Sequence, residues 1–223
     1  MMPSDDFRYS RHAPRLEVTS KKDDLKVMIL RKHPHAENMY RYVRDEFKES
    51  FGHVYNNRCA YCGLPLGVVP VSHFEIDHIV CQDVADQDNI VDAMYVHDLK
   101  NLAFACSYCN RKKSNFTIQR DSHKWLSPDK GLGQTFVRED DCHIGVSAEN
   151  ADRVDIKQFY DKMNYGSELR RIDYVLSSLI DLRDQVDEKG VNRDKSDVVD
   201  CLDAAISRLT RKRNRFESQL VRM

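Results

Sequence analysis

Toward the C-terminal end Leu169, Ile172, Leu176, Leu179 and Val186 recur at nearly alternating three- and four-residue steps, and Val198, Leu202, Ala205, Leu209, Phe216 and Leu220 line a second stripe. This period predicts two long antiparallel helices joined around Gly190 to Asp194, with Asp194 placed to cap the second. Near the other end, Ala36, Tyr40, Val43 and Phe47 fall at helical spacing behind Pro34, which suits a first helical turn, and Gly52 reads as the stop. The apolar run Leu25 to Leu30 reads as a short strand tying a polar N-terminal arm to the body. Residues 127–139 carry Pro128, Gly131 and Gly133 and read as loops with short strands, and helical periodicity returns near Asp155. The least helix-like stretch, 56–114, contains Phe74-Glu75-Ile76-Asp77-His78-Ile79-Val80, whose alternation predicts a strand.

Composition narrows the class. The 223 residues hold 35 Lys and Arg against 36 Asp and Glu, for a net charge of -1, with 41% hydrophobic and 32% charged residues. Such a balance excludes a wholesale basic coat, a membrane protein and a globally disordered chain, so any charged binding surface is local. The first twenty-four residues hold no apolar run of signal-peptide type, and no stretch approaches a membrane span, which predicts a cytoplasmic protein.

Four of the seven cysteines form two CxxC pairs, Cys59-Ala-Tyr-Cys62 and Cys106-Ser-Tyr-Cys109. Each pair can turn two thiolates toward one point, and together they offer the four soft ligands that favour tetrahedral zinc. A redox CxxC would explain one pair and leave the other unused. With every position filled by sulfur the zinc has no open site for substrate, so its role is structural. Cys81, Cys142 and Cys201 have no partners at ligand spacing and read as buried small hydrophobes.

Asp77 and His78 alone carry little specificity, since adjacent strand residues point to opposite faces. Read together with Asn101-Leu102 and with Cys106-Ser-Tyr-Cys109-Asn110-Arg111-Lys112-Lys113, the arrangement resembles the HNH endonuclease family, in particular its zinc-stapled members. The resemblance covers Cys59 to Asn115. It implies an α+β fold built on a ββα-metal (His-Me finger) nuclease core with a four-cysteine staple, flanked by helices that include the C-terminal hairpin. With the periodicity above, the chain divides into an arm (1–30), a helix plus nuclease core (31–125), a loop-rich connection (126–165) and the hairpin (166–223).

Carried over residue by residue, the resemblance makes Asp77 a carboxylate ligand and His78 the general base. It makes Asn101 the brace that orients the histidine and Asn110 the second ligand of a catalytic Mg2+ or Mn2+. Such a centre hydrolyses a phosphodiester and leaves 5'-phosphate and 3'-hydroxyl ends, the neutral imidazole taking a proton from water and the cation neutralising the scissile phosphate. One departure stands out: Cys81 occupies the place where the family often has Pro. Glu75 and His73 share the Asp77 side of the strand by alternation, with Glu75 either a neighbour of the metal ligands or a surface group; His97 has no assigned role. Arg58 faces either phosphate or an acidic neighbour, and Tyr61 and Tyr108 read as packing around the zinc.

Arg111, Lys112, Lys113, Arg120 and Lys124 lie on or just beyond the segment carrying Asn110 and form a candidate phosphate-backbone clamp. DNA is the expected partner, with RNA also open. The hairpin offers a surface for homodimerisation or for another protein. The layout is also similar to the nuclease subunit of Septu-type phage-defence systems, which works with an ATPase; the chain has no P-loop of its own. Two alternatives remain beside the nuclease: a zinc-stabilised nucleic-acid-binding module that does not cut, and an interaction subunit whose helices matter most.

Overall fold

The computed structural model describes residues 6–10, 13, 17–82, 95–116, 118, 120–188 and 193–220. Its first helix, α1 (Val18–Lys32), occupies the segment whose apolar run suggested an arm ending in a strand. Val18, Lys22, Leu25 and Ile29 are its buried positions, steps of four and three that turn one helical face into the core. Val27 and Met28 completed the apparent strand, but each is 50% exposed on the other side. The polar arm itself is packed: Phe7, Arg8, Tyr9 and Ser10 are buried. The Arg8 guanidinium donates to the carbonyls of Ala60 and Pro128, strapping this segment across the first CxxC turn. Gly63 in that turn has φ +76°, and a Cβ there would lie 2.0 Å from the Arg8 carbonyl oxygen, so glycine is required twice over.

The single helix expected from Pro34 is two, α2 (Met39–Asp45) and α3 (Lys48–Val54). Asn38 starts α2 by accepting from the Arg41 amide, a stronger start signal than Pro34, which lies outside the helix. Gly52 sits inside α3 rather than ending it, and its missing side chain lets the helix approach the Phe104 ring.

Strand β1 (Phe74–His78) pairs antiparallel with β2 (Leu102–Cys106), from Phe74 opposite Cys106 to His78 opposite Leu102. All five β2 residues are buried, and Phe104 stacks on Phe74 with centroids 4.7 Å apart. Helix α4 (Ser107–Lys113) follows directly, with Cys106 as its N-cap. These three elements are the ββα unit the resemblance implied.

The connection after it is more structured than a loop. It forms α5 (His123–Leu126), α6 (Leu132–Thr135), a hairpin of β3 (Phe136–Arg138) with β4 (Ile144–Val146), and α7 (Val154–Lys162). Phe136 gathers Phe7, Phe159 and Tyr165 around it, a small aromatic core that explains why short elements hold here.

The two predicted long helices are α8 (Glu168–Glu188) and α9 (Arg193–Leu220). Arg213 pairs with Asp173 and Arg183 with Asp203, so the helices run antiparallel. The connector at residues 189–192, and the Asp194 side chain proposed as a cap, lie outside the described residues. Helix α8 is the one docked on the body: Leu169, Ile172 and Leu176 are buried, and Asp181 receives Arg58 and the Ser10 hydroxyl. Arg58 thus faces the acidic neighbour, not a phosphate. Helix α9 lies outside it, and among its described side chains only Arg213 is buried. No described helix is long and apolar enough to cross a membrane.

Candidate metal centre and catalytic edge

The two CxxC turns meet where β2 passes into α4. The ligand sulfurs of Cys59, Cys62, Cys106 and Cys109 lie within 4.8 Å of one another and all four residues are buried. Cys62 and Cys106 Sγ are 3.9 Å apart, close to the roughly 3.8 Å edge of a tetrahedron with metal–sulfur bonds of about 2.3 Å. The Cys106 amide points at Cys59 Sγ at 3.3 Å and the Cys109 amide at Cys106 Sγ at 3.5 Å, as suits sulfurs that carry negative charge. Arg170, buried on α8, donates to Cys109 Sγ at 3.1 Å and lies over the Tyr108 ring. Its guanidinium is held well above the ordinary arginine range by the neighbouring cysteines and Asp173, against the opposing effect of burial. Donor type, spacing and a compensating cation all suit a zinc-like ion. Among the described residues this is the one group of three or more His, Cys, Asp or Glu side chains that converges on a point.

The other three cysteines are not buried: Cys81 and Cys142 are partly exposed and Cys201 is exposed on α9. Cys81 follows the end of β1 with its thiol toward the Ser114 carbonyl, and Cys142 sits in a turn at φ +69°.

Strand β1 lies between α2 and α4, and its alternation deals the catalytic candidates to opposite sides. Glu75 and Asp77 face α4. The Asp77 carboxylate is 7% exposed, accepts from the Tyr61 hydroxyl at 2.5 Å, and has the Lys113 ammonium 3.1 Å from both oxygens. Burial pushes its pKa above the usual carboxylate value, opposed by Lys113 and the Tyr61 hydrogen bond. Asn110 donates its amide to Glu75, leaving its own oxygen as a donor for a cation.

His78 turns to the other side. Its Nε2 is 3.0 Å from His97 Nδ1 and 3.4 Å from the Gln82 amide nitrogen, and its ring lies 4.7 Å from that of Tyr40 on α2. Burial, then the His97 and Lys113 charges, push its pKa down to about 4, so the imidazole is neutral at physiological pH. Asn101 is buried behind the turn after β1. Its oxygen accepts from the Val80 amide at 2.9 Å, and its nitrogen donates to the Val80 and Val96 carbonyls. That network fixes the backbone on either side of the His78–His97 contact.

The five cations read as a clamp separate. Lys113 is fully buried beneath Asp77, donating also to the His78 carbonyl at 2.7 Å, and cannot meet solvent phosphate; its aliphatic stem belongs to the inner face of α4. Arg111 and Lys112 are exposed on the same helix. Lys124 is exposed with its ammonium 3.8 Å from the Trp125 ring centre, and the Arg120 side chain lies outside the described ones. His73 is exposed, while Tyr61, expected only to pack around zinc, joins the first CxxC turn to Asp77. Tyr61, His97 and Lys113 are the partners sequence reasoning missed in these roles. The available signals were a hydroxyl inside the CxxC turn, a histidine one short turn before Asn101, and a lysine one helical step beyond Asn110.

The oxygen donors Asp77, Glu75 and Asn110 suit a hard divalent cation in type. In arrangement they are engaged with Tyr61, Lys113 and each other, so such an ion would take its place among existing partners.

Against known proteins, the HNH endonuclease family model matches residues 59–116, about a quarter of the chain. That segment resembles an HNH endonuclease domain and carries the four cysteines that could hold a zinc-like ion. No curated protein and no solved structure matches the chain.

Proposed function

We propose that the protein is a metal-dependent HNH endonuclease that hydrolyses DNA phosphodiester bonds, with structural zinc on Cys59, Cys62, Cys106 and Cys109. The observation that carries this reading is the His78 imidazole, held neutral by burial and fixed by His97, Tyr40 and the Asn101-braced turn, next in sequence to Asp77 within a segment that matches the HNH family. His78 is the general base. With the shared proton on Nε2 toward His97, Nδ1 is left to take a proton from water as its oxygen attacks phosphorus, the bond to the 3' oxygen breaks, and that departing oxygen takes a proton from solvent to become the 3'-hydroxyl. Asp77 and Asn110 would hold Mg2+ or Mn2+, which when bound supplies positive charge to the phosphate. Asn101 is a positioning residue acting through Val80 and Val96. Arg111 and Lys112 remain as the exposed cations on α4 for backbone contact.

One observation favours a second reading, a zinc-stabilised binding module that does not cut: the Lys113 ammonium already holds the Asp77 carboxylate. Conversion of supercoiled plasmid to nicked or linear forms decides between them. With Mg2+ or Mn2+ the zinc-loaded protein should cut, EDTA should stop it, and His78→Ala should slow it by about 10²- to 10⁴-fold with zinc content unchanged. Cutting retained by that variant would remove His78 as base, and absence of cutting by the folded wild type with either ion would favour the binding module.

A further inference from the structure

Helix α9 presents a charged face that neither the staple nor the catalytic edge uses. Ile206, Leu209 and Phe216 pack toward the core, and Arg213 is buried against Asp173 at 2.8 Å. At about 100° per residue, Arg208, Arg211, Lys212 and Arg215 fall within an arc of roughly 100° well away from that apolar seam. All four are exposed, and none makes an ion pair among the described residues. Nearer the start of the helix the same face carries exposed Asp197 and Asp200, so its charge runs from acidic to basic along its length.

The basic end has a definite place in the fold. Arg213 is tied to Asp173, Asp173 lies 3.8 Å from Arg170, and Arg170 donates to Cys109, the residue from which α4 carries Arg111 and Lys112 outward. The stripe therefore stands at the staple end of the molecule, and the acidic half is paired toward the far end of α8 through Arg183 and Asp203.

We infer that Arg208, Arg211, Lys212 and Arg215 form a second contact for the phosphate backbone of duplex DNA, outside the ββα unit. The inference rests on the nuclease reading for its choice of ligand. From Arg208 to Arg215 the stripe spans about 10 Å, against a duplex that carries one negative charge per roughly 1.7 Å of axis. Four cations with no acid partner among the described residues suit that charge density, and the described outward face carries no large apolar side chain for a hydrophobic partner, only the small Cys201 and Ala204. Asp197 and Asp200 repel phosphate and confine the contact to the C-terminal half.

The test uses the full chain with His78→Ala, so that the probe is not consumed, and measures affinity for a mixed-sequence DNA duplex between about 50 and 200 mM salt. Replacing Arg208, Arg211, Lys212 and Arg215 together by Gln should weaken binding about tenfold or more and reduce the slope of log affinity against log salt by about 2 to 3. Asp197→Lys with Asp200→Lys should tighten binding and steepen the slope, an opposite change that misfolding cannot imitate. An unchanged slope in both variants, or no binding by the parent chain, overturns the proposal. A slope unchanged while sedimentation shows the Gln variant losing a dimer assigns the stripe to a second copy, its acidic half against this basic half, and equally overturns it. Plasmid cutting by the His78 protein is read separately. A reduced slope without cutting leaves the stripe standing and the nuclease reading fallen, and cutting with an unchanged slope does the reverse.

Discussion

Cys106 ends β2 opposite Phe74, and Asp77 lies three residues further along the same ladder, so the staple and the catalytic edge share one small sheet. At the staple four sulfurs already converge, with two backbone amides aimed at them. At the edge the oxygen donors are shared out: Asp77 to Tyr61 and Lys113, Asn110 to Glu75, with His78 on the other side of the strand against His97. The difference lies in how each is built. A CxxC turn sets its own two ligands locally, whereas the edge draws on both faces of β1, one face of α4 and the turn before β2. One feature is common to both: each places a single buried cation beside its anionic groups, Arg170 at the staple and Lys113 at the edge. A buried carboxylate or thiolate cluster requires such compensation, because its charge is otherwise too costly away from water.

The largest effect is expected at the staple. Cys106→Ser removes one thiolate ligand while its hydroxyl can still cap α4 by accepting from the Cys109 amide, so the change isolates the metal contact. Because structural zinc contributes about 10 to 16 kcal/mol in small metal-folded motifs, losing one of four thiolates should cost several kcal/mol, enough to unfold the ββα unit. Zinc content by atomic absorption and a denaturant midpoint measure it. A variant that keeps its midpoint while losing its metal would show that the aromatic and apolar packing around the staple suffices without the ion.

Legibility followed the same division. The staple was readable because CxxC spacing encodes a local turn, and β1 because Phe74, Glu75 and Ile76 alternate cleanly. The hairpin was readable from its periodic stripes, although its close docking through Arg58 and Asp181 was not, since nothing in sequence pairs residues so far apart. Leu25 to Leu30 misled because a short apolar run fits strand and helix alike, and only Lys22, buried with its ammonium on Asp129 and the Leu102 carbonyl, reveals the helical face. Lys113 misled for a related reason. In the run Arg111-Lys112-Lys113 three like charges look equivalent, yet only the third falls on the face of α4 that covers Asp77.

The next effect in size sharpens the contrast at that lysine. Lys113→Met keeps the aliphatic stem but removes the cation beside Asp77, and breaking a buried pair by deleting one partner costs about 3 to 5 kcal/mol. If Asp77 and Asn110 are ligands for a divalent ion, Mg2+ or Mn2+ should raise the thermal midpoint of the variant more than that of the wild type, since the ion meets the charge the ammonium had compensated. Lys112→Met on the exposed side is the control and should leave the midpoint nearly unchanged. Equal metal-induced shifts in Lys113→Met and wild type would sink Asp77 as a metal ligand while leaving the staple untouched.

The smallest effect concerns the imidazole pair. His78 is held to about 4 by burial first and by the His97 and Lys113 charges after it. An unfolded chain would protonate that residue near 6.5, so the unfolded state binds more protons between those values. His78 therefore contributes its full stability above about pH 6.5 and loses it as pH falls toward about 4. His97→Ala removes the ring that meets Nε2 and admits water beside the imidazole, weakening both the burial and the electrostatic influence of His97 that lower the pKa. The His78 imidazole resonance, followed by NMR near pH 5.5, should then show partial protonation where the wild type stays neutral. In the same variant cutting should decline between about pH 8 and pH 6, while the wild-type rate holds over that range. An unshifted His78 titration would mean that Tyr40 packing and Lys113 suffice to keep the base neutral, and His97 would then be needed only for orientation. Zinc content should be the same in either case, since no contact joins His97 to the four sulfurs among the described residues.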